Sequence, residues 1–242
     1  PAKAFTKKPQ SSISVGFHLL KKGEIDGFAS AGNSGAMLVG SFYTVKAITG
    51  VIRPSITSVL PKENGSVGLI LDVGINVDCK PDVLYQFGIL GSLYAEHVYG
   101  VKNPKVALLN IGEEEGKGNL LTQSTYQLMK DSEDFNFVGN IEGRDLFNDT
   151  ADVIVCDGFI GNVVLKQAEA FYVMTRKRGI EDEYFARFNY ENYGGTPVLG
   201  VNGAVVIGHG ISNGKAIKNM ILHTAEVIQV NLSEKIKQAF QG

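Results

Sequence analysis

The sequence predicts an α/β fold with a mostly parallel sheet and helices on both faces. Three observations predict it. Short apolar runs rich in Val, Ile and Leu alternate with longer segments of helical periodicity. The 29 glycines stand at the ends of apolar runs, where tight strand-to-helix turns need them. Hydrophobic residues make up 44% of the 242 positions, enough for a substantial core.

In chain order, residues 1–10 form a basic, irregular lead-in. Residues 11–22 then read as an amphipathic helix with Ile13, Phe17 and Leu20 on one face, stopped by Gly23. A strand at 27–31 passes through a glycine turn into a helix at 35–49. Strands at 56–60 and 67–73 precede a helix at 81–99 that carries Pro81 at its first position. Further strands are read at 106–111, 135–138, 152–156, 197–201 and 205–208, and further helices at 120–130, 162–178 and 212–240. The last helix places Ile217, Ile221, Ala225, Ile228 and Leu232 on one face. The whole is read as a single α/β domain over 1–242. Residues 176–195, polar and aromatic, form its least regular stretch, an inserted excursion or a subunit contact.

Composition narrows the function. With 23 basic and 25 acidic side chains the net charge is -2, which argues against nucleic acid as the main partner. Cys79 and Cys156 have no paired zinc spacing and are too few for a disulfide scaffold, so a reducing cytoplasm is expected. No apolar run is long enough to span a bilayer. His18, His97, His209 and His223 lack metal-ligand spacing, and neither metal nor cofactor is expected.

Four strand ends open into loops that combine glycine with Asn, Ser or Asp: 30–35, 72–78, 112–118 and 157–162. Such pairs also make ordinary turns. Four together point to one anion-binding crevice, because loops after the carboxyl ends of parallel strands gather along one edge. Helix N-termini there add N–H donors and a positive dipole end.

The most telling loop is Gly112-Glu113-Glu114-Glu115-Gly116-Lys117-Gly118. Lys117 reads as a surface lysine or an anion ligand, and its flanking glycines favour the second. The glutamates either hold Lys117 or cap the next helix. A P-loop is excluded because the spacing is one residue short, no Ser or Thr follows Lys117, and the carboxylates would repel a triphosphate. No G-x-G-x-x-G follows a strand with an acidic residue at the right distance, and no G-x-S-x-G elbow exists. Ser34 reads as an N-cap or phosphate contact rather than a nucleophile. His209, between Gly208 and Gly210 at a strand end, is the histidine with a functional reading. Cys79 has no basic neighbour to lower its pKa and reads as a small packed residue.

The strings SAGNSGA (30–36), LDVGINVD (71–78), NIGEEEGKG (110–118), DGFIGNVVLK (157–166), YGGTPVLGVNG (193–203) and IGHG (207–210) resemble the PlsX phosphate acyltransferases of bacterial phospholipid synthesis. The resemblance runs from about residue 11 to the end, and the motifs keep the family's order. It implies a fold related to phosphotransacetylases and to isocitrate and isopropylmalate dehydrogenases, and a homodimer. It implies a reaction in which inorganic phosphate attacks the thioester of a long-chain acyl-[acyl carrier protein]. It also implies contact with the inner face of the membrane or with a downstream acyltransferase.

On that footing Lys117 neutralises charge and protonates the leaving group, Asn162 hydrogen-bonds the carbonyl or phosphate, and His209 is a secondary catalytic candidate. Substrate binding falls to Asn33, Ser34, Gly35, Asn76, Asp78, Gly112, Gly116, Gly118 and Gly161. Acyl carrier proteins are acidic, so Arg176-Lys177-Arg178 is the first docking candidate and Lys21-Lys22 with Lys7-Lys8 the second.

The family begins with a strand and an Asp-Ala-Met-Gly-Gly-Asp-like loop that this sequence does not show, so a truncated amino terminus is expected. Ile75 stands where the family has a small residue. The segment between Lys166 and Tyr193 is shorter than in members with a long helical hairpin, which argues against membrane docking through it. The rival readings are a phosphotransacetylase acting on acyl-CoA, a hydride-transferring relative, and a non-catalytic scaffold that binds carrier protein.

Overall fold

The computed structural model describes residues 8–241. The chain divides into two compact units, Pro1–Pro54 with Tyr190–Gly242, and Ser55–Asn189. The elements in chain order are α1 (Ser12–Lys22), β1 (Gly27–Ser30), α2 (Ser34–Gly40, continued by a π turn at Ser41–Val45), β2 (Ser55–Pro61), β3 (Val67–Leu71) and α3 (Pro81–Tyr99). Then come β4 (Lys105–Leu109), α4 (Leu120–Met129), β5 (Asn136–Ile141), β6 (Val153–Val155), α5 (Gly158–Lys177) and α6 (Glu183–Ala186). The chain ends with β7 (Thr196–Leu199), β8 (Ala204–Ile207), α7 (Gly214–Gln229) and α8 (Leu232–Ala239).

In the Ser55–Asn189 unit the strand order is β2-β3-β6-β4-β5. The β2–β3 hairpin is antiparallel, whereas β3–β6, β6–β4 and β4–β5 are parallel. Side chains alternate across the pleat. Ile70, Ala107 and Ile154 share a core with Val73, Ile141 and Leu146, against which Val164 and Leu165 of α5 pack.

Helix α3 is apolar almost all round, with Val83, Leu84, Phe87, Leu90 and Tyr94 nearly inaccessible. It lies close on the strands because Gly91 has no side chain: a Cβ there would stand 2.5 Å from Val153 and 2.9 Å from Leu71. The excursion up to Asn189 folds back within this unit. The Tyr184 hydroxyl donates to the Pro61 carbonyl at 3.1 Å, and Arg187 donates to the Lys62 and Ser66 carbonyls at 2.9 and 2.6 Å. Lys62 itself is buried and satisfied by Asp149 at 2.9 Å and Asp152 at 2.5 Å.

In the other unit β1 runs parallel to β8, and β7 runs antiparallel to β8. Helix α1 starts at Ser11, whose side chain accepts from the Ser14 amide, and stops at Gly23 with φ 71°. Its buried face is Gly16, Phe17 and Leu20, with Phe17 packed edge-on to Phe28 at 5.0 Å. Ile13 is only half-buried.

Two helix expectations are corrected. The segment at 212–240 is broken at Asn231, whose φ of 51° is left-handed, so α7 and α8 are separate. The buried face of α7 is Ala216, Met220, His223, Thr224 and Val227, while Ile221 is 60% exposed. The isoleucine spacing is helical, but a more mixed face of the helix packs against β1 and β8.

His223 on α7 is buried at 8% exposure with Nδ1 3.3 Å from Glu226. Burial holds its pKa below 6.5, only partly offset by Glu226. The unfolded chain therefore binds this proton more readily than the folded one. Stability from the neutral ring is complete above 6.5 and is lost as pH falls through the depressed folded value. Wild-type melting temperature should drop between pH 7 and 5, by about 2–4 °C per kcal/mol lost. A His223→Gln variant should lose that part of the slope; an unchanged slope would place the acid sensitivity elsewhere.

Candidate functional site

Three of the four glycine loops leave one edge of the Ser55–Asn189 unit. Strands β3, β6 and β4 are parallel neighbours, so loops 72–78, 156–162 and 110–118 emerge together at their carboxyl ends. The first two are knitted to each other. The Asp72 amide donates to the Cys156 carbonyl at 2.9 Å, the Gly158 amide to the Asn76 carbonyl at 2.8 Å, and Asn162 Nδ2 to the Val73 carbonyl at 3.1 Å.

Asp72, a residue the sequence reading passed over, holds this junction. It is fully buried and accepts from the amides of Gly74, Ile75 and Asn76 at 3.1, 3.2 and 2.8 Å, and from Asn76 Nδ2 at 2.6 Å. Burial raises its pKa, against the lowering effect of those hydrogen bonds. Asn76 is thus buried and fastened to Asp72, while Asp78 is exposed.

Gly161 is held flush against the backbone: a Cβ there would overlap the Asp72 carbonyl oxygen. That neighbour cannot rotate away, so Gly161→Ala should cost about 3 kcal/mol, the upper part of the overpacking range. The loss should appear as a lower urea midpoint with unchanged slope. A midpoint equal to wild type would show that the loop yields.

The acidic loop is built from local bonds. Asn110 Nδ2 donates to the Lys117 carbonyl at 3.1 Å, the Lys117 amide to the Glu114 carbonyl at 3.0 Å, and Asn140 Nδ2 to the same Glu114 carbonyl at 3.0 Å. Gln123 Nε2 reaches the Gly116 and Gly118 carbonyls at 2.9 and 3.2 Å. Gly118 is left-handed at φ 89°, and a Cβ there would collide with Asn110 and Thr122.

The three glutamates take separate partners. Glu113 meets Arg144 at 3.2 Å, Glu114 stands 3.9 Å from Lys117, and Glu115 accepts from Gln127 and Lys130 at 2.5 and 3.1 Å. Gln127 first, then Lys130, hold the Glu115 carboxyl below its usual range. The cap of α4 is Asn119, not a glutamate. Lys117 keeps half of its side chain in solvent, and Gly112 is buried whereas Gly116 is exposed.

The fourth loop lies in the other unit. There β1 and β8 are parallel, and the Gly208 amide donates to the Ser30 carbonyl at 2.9 Å. Asn33 is the N-cap of α2, its Oδ1 accepting from the Ala36 amide at 2.9 Å, so Ser34 is the first helical residue rather than the cap. Asn33 and Ser34 are exposed and Gly35 is half-buried. The His209 ring lies 4.9 Å from that of Tyr190, and its carbonyl accepts from Ser212 Oγ at 2.6 Å.

Neither cysteine is in a disulfide: Cys156 is buried, and Cys79 Sγ lies 3.3 Å from the Asn76 carbonyl. Burial, then Asp157, push the Cys156 thiol well up, so it is inert at neutral pH. Of the docking candidates, Arg176, Lys177 and Arg178 are exposed, with Arg176 3.6 Å from Glu181. Lys21, Lys22 and Lys8 are exposed too, and Lys7 lies outside the described residues. Among the described residues no helix is long and apolar enough to cross a membrane.

The chain matches the family described as "Fatty acid synthesis protein" over residues 1–178 and 177–235. The two stretches meet where α5 ends and the chain reverses through Gly179, φ 70°. It is 46% identical to the phosphate acyltransferase of Halothermothrix orenii, over 98% of this chain and 77% of that one. It is 43% identical to the phosphate acyltransferase of Dictyoglomus turgidum, over 98% and 76%. Among solved structures, a branched-chain phosphotransacylase from Enterococcus faecalis superposes with a TM-score of 0.64 at 16% identity, covering 91% of this chain and 80% of the other. EutD phosphotransacetylase from Staphylococcus aureus gives 0.62 at 16% identity, over 95% and 74%. At that identity the likeness is one of fold.

Proposed function

The chain belongs to the fatty acid synthesis protein family, and from that premise we propose that it moves a long-chain acyl group from acyl carrier protein to inorganic phosphate. The supporting observation is the shared edge of three glycine loops with Lys117 half in solvent beside them. Near neutral pH phosphate is largely a dianion, so it is already a nucleophile and needs position and charge neutralisation more than a base.

A phosphate oxygen attacks the thioester carbonyl, the C–O bond forms, and the tetrahedral oxyanion collapses as the C–S bond breaks. The products are acyl phosphate and the carrier thiol, the thiolate taking up the proton that phosphate brought. Lys117 offsets the negative charge of bound phosphate and of the oxyanion that develops, and lies on the proton's route. Asn162, with backbone N–H groups at Gly112, Gly116 and Gly118, supplies donors to the oxyanion or phosphate; the Gly161 amide donates instead to the Asp157 carbonyl at 3.0 Å, so Gly161 serves by its close packing. Asn76 and Asp78 border the same edge, Asn76 as a loop fastener. Asn33, Ser34 and Gly35 are read as phosphate contacts and His209 as a secondary donor. The protein is read as cytoplasmic and homodimeric. The exposed apolar side chains of α5, Phe159, Val163, Phe171 and Met174, support a face covered by a second copy or a membrane-bound partner.

The test is direct. Purified chain with a palmitoyl-carrier thioester should release thiol only when phosphate is present, and hydroxylamine should trap an equal amount of acyl phosphate. Preference for acetyl-CoA would favour the phosphotransacetylase reading. Carrier binding without phosphate-dependent thiol release would favour the scaffold.

A further inference from the structure

One cavity in the Ser55–Asn189 unit borders the proposed phosphate loop at Gly118 and is otherwise given no use by the phosphate chemistry. It encloses about 240 Å³ between α3, the first turns of α4 and α5, and the ends of β4 and β6. Leu84, Leu108, Leu109, Leu121 and Ile160 supply its apolar wall.

Most of the polar side chains that border it make local bonds. Asn110 serves the Lys117 carbonyl and the Ile111 amide, Asn119 Oδ1 caps the Thr122 amide, Thr122 Oγ1 donates to Asn119, and Asp157 Oδ1 accepts from Ile160. A polar ligand would have to break those bonds to be satisfied, whereas a hydrocarbon needs none. The cavity also adjoins the proposed chemistry. Asn110 bonds the backbone of Lys117, and Ile160 precedes Asn162 by two residues on the same turn of helix.

We propose that this cavity is the acyl-chain subsite, taking about the first eight carbons of the substrate's hydrocarbon tail. The assignment rests on the phosphate acyltransferase reading. A methylene occupies about the volume of a water molecule, roughly 30 Å³, which sets the number of carbons. Ile111 lines the cavity yet is 81% exposed, so it marks the rim, and Leu120, the chain neighbour of the lining residue Leu121, is 83% exposed. Carbons beyond the eighth run out over this apolar edge, which accounts for two large aliphatic side chains left in solvent.

The experiment is a chain-length series of carrier thioesters with four, eight, twelve and sixteen carbons at saturating phosphate. Wild-type kcat/KM should rise by up to about fourfold per methylene and level off near eight to ten carbons. Ile160→Trp, at a half-exposed position that tolerates bulk, should lower the ratio of twelve-carbon to four-carbon kcat/KM by about tenfold or more. Leu121→Ala should move the plateau to longer chains. A flat wild-type series, or a loss in Ile160→Trp equal at every length, overturns the subsite while leaving the reaction standing; an equal loss would fit the carrier's thiol-bearing arm instead. No acyl phosphate from any thioester would overturn the parent reading and this one with it.

Discussion

Lys117→Ala should fold like the wild type and turn over about 10²–10³-fold more slowly in the phosphate-dependent reaction. The folding half of this expectation follows from geometry. The Lys117 side chain is 51% exposed and its nearest carboxylate, Glu114, is 3.9 Å away. A surface pair of that kind contributes at most about 1 kcal/mol. The bonds that shape the loop run through the Lys117 backbone, to Glu114 and from Asn110, and survive truncation. The kinetic half follows from charge. In the proposed reaction two anionic centres, phosphate and the oxyanion, meet beside a loop that carries three carboxylates, and Lys117 is the one cationic side chain within 112–118 to offset them. Lys117→Arg should recover part of the rate. Steady-state kinetics in phosphate, beside an unchanged urea midpoint, checks the prediction, and near-normal turnover removes Lys117 from the mechanism.

Asn162→Ala should lose a similar factor in turnover, with a stability cost of about 1 kcal/mol in addition. The added cost comes from the bond between Asn162 Nδ2 and the Val73 carbonyl, which ties the first turn of α5 to the loop after β3. Asn162→Asp keeps the shape but sets an acceptor against that carbonyl, so it should be at least as slow. If the alanine variant lost stability and kept its rate, Asn162 would be a fastener of the loop and not a donor to substrate.

Much of the fold was legible because the signals were local. Pro81 at the start of α3, Gly23 after α1 and Val-Ile-Leu runs in the strands each fix an element through backbone chemistry of a few residues. The helix at 212–240 was misread because Asn231 looks like any helical asparagine until its left-handed φ is seen. The buried face of α7 is set by the strands beneath it, which no periodicity within the helix reports.

The glycine loops were legible as turns, and their common edge follows from parallel pairing. The separate partners of Glu113, Glu114 and Glu115 were not, since Arg144 and Lys130 reach them from other elements. Asp72 was overlooked for a similar reason: an Asp before a Gly-x-Asn turn reads as a solvated turn residue. Only the packing of Gly161 over it makes its burial visible.

That buried carboxylate bears on the energetics of substrate capture. Ordering a backbone residue costs about 1–2 kcal/mol of conformational entropy, so fixing Gly74, Ile75 and Asn76 costs about 3–6 kcal/mol. Their amides are gathered on Asp72, a group of the protein itself. The ordering is therefore completed when the chain folds, and under the proposed assignment an arriving phosphate meets a loop whose affinity is not reduced by having to be organised.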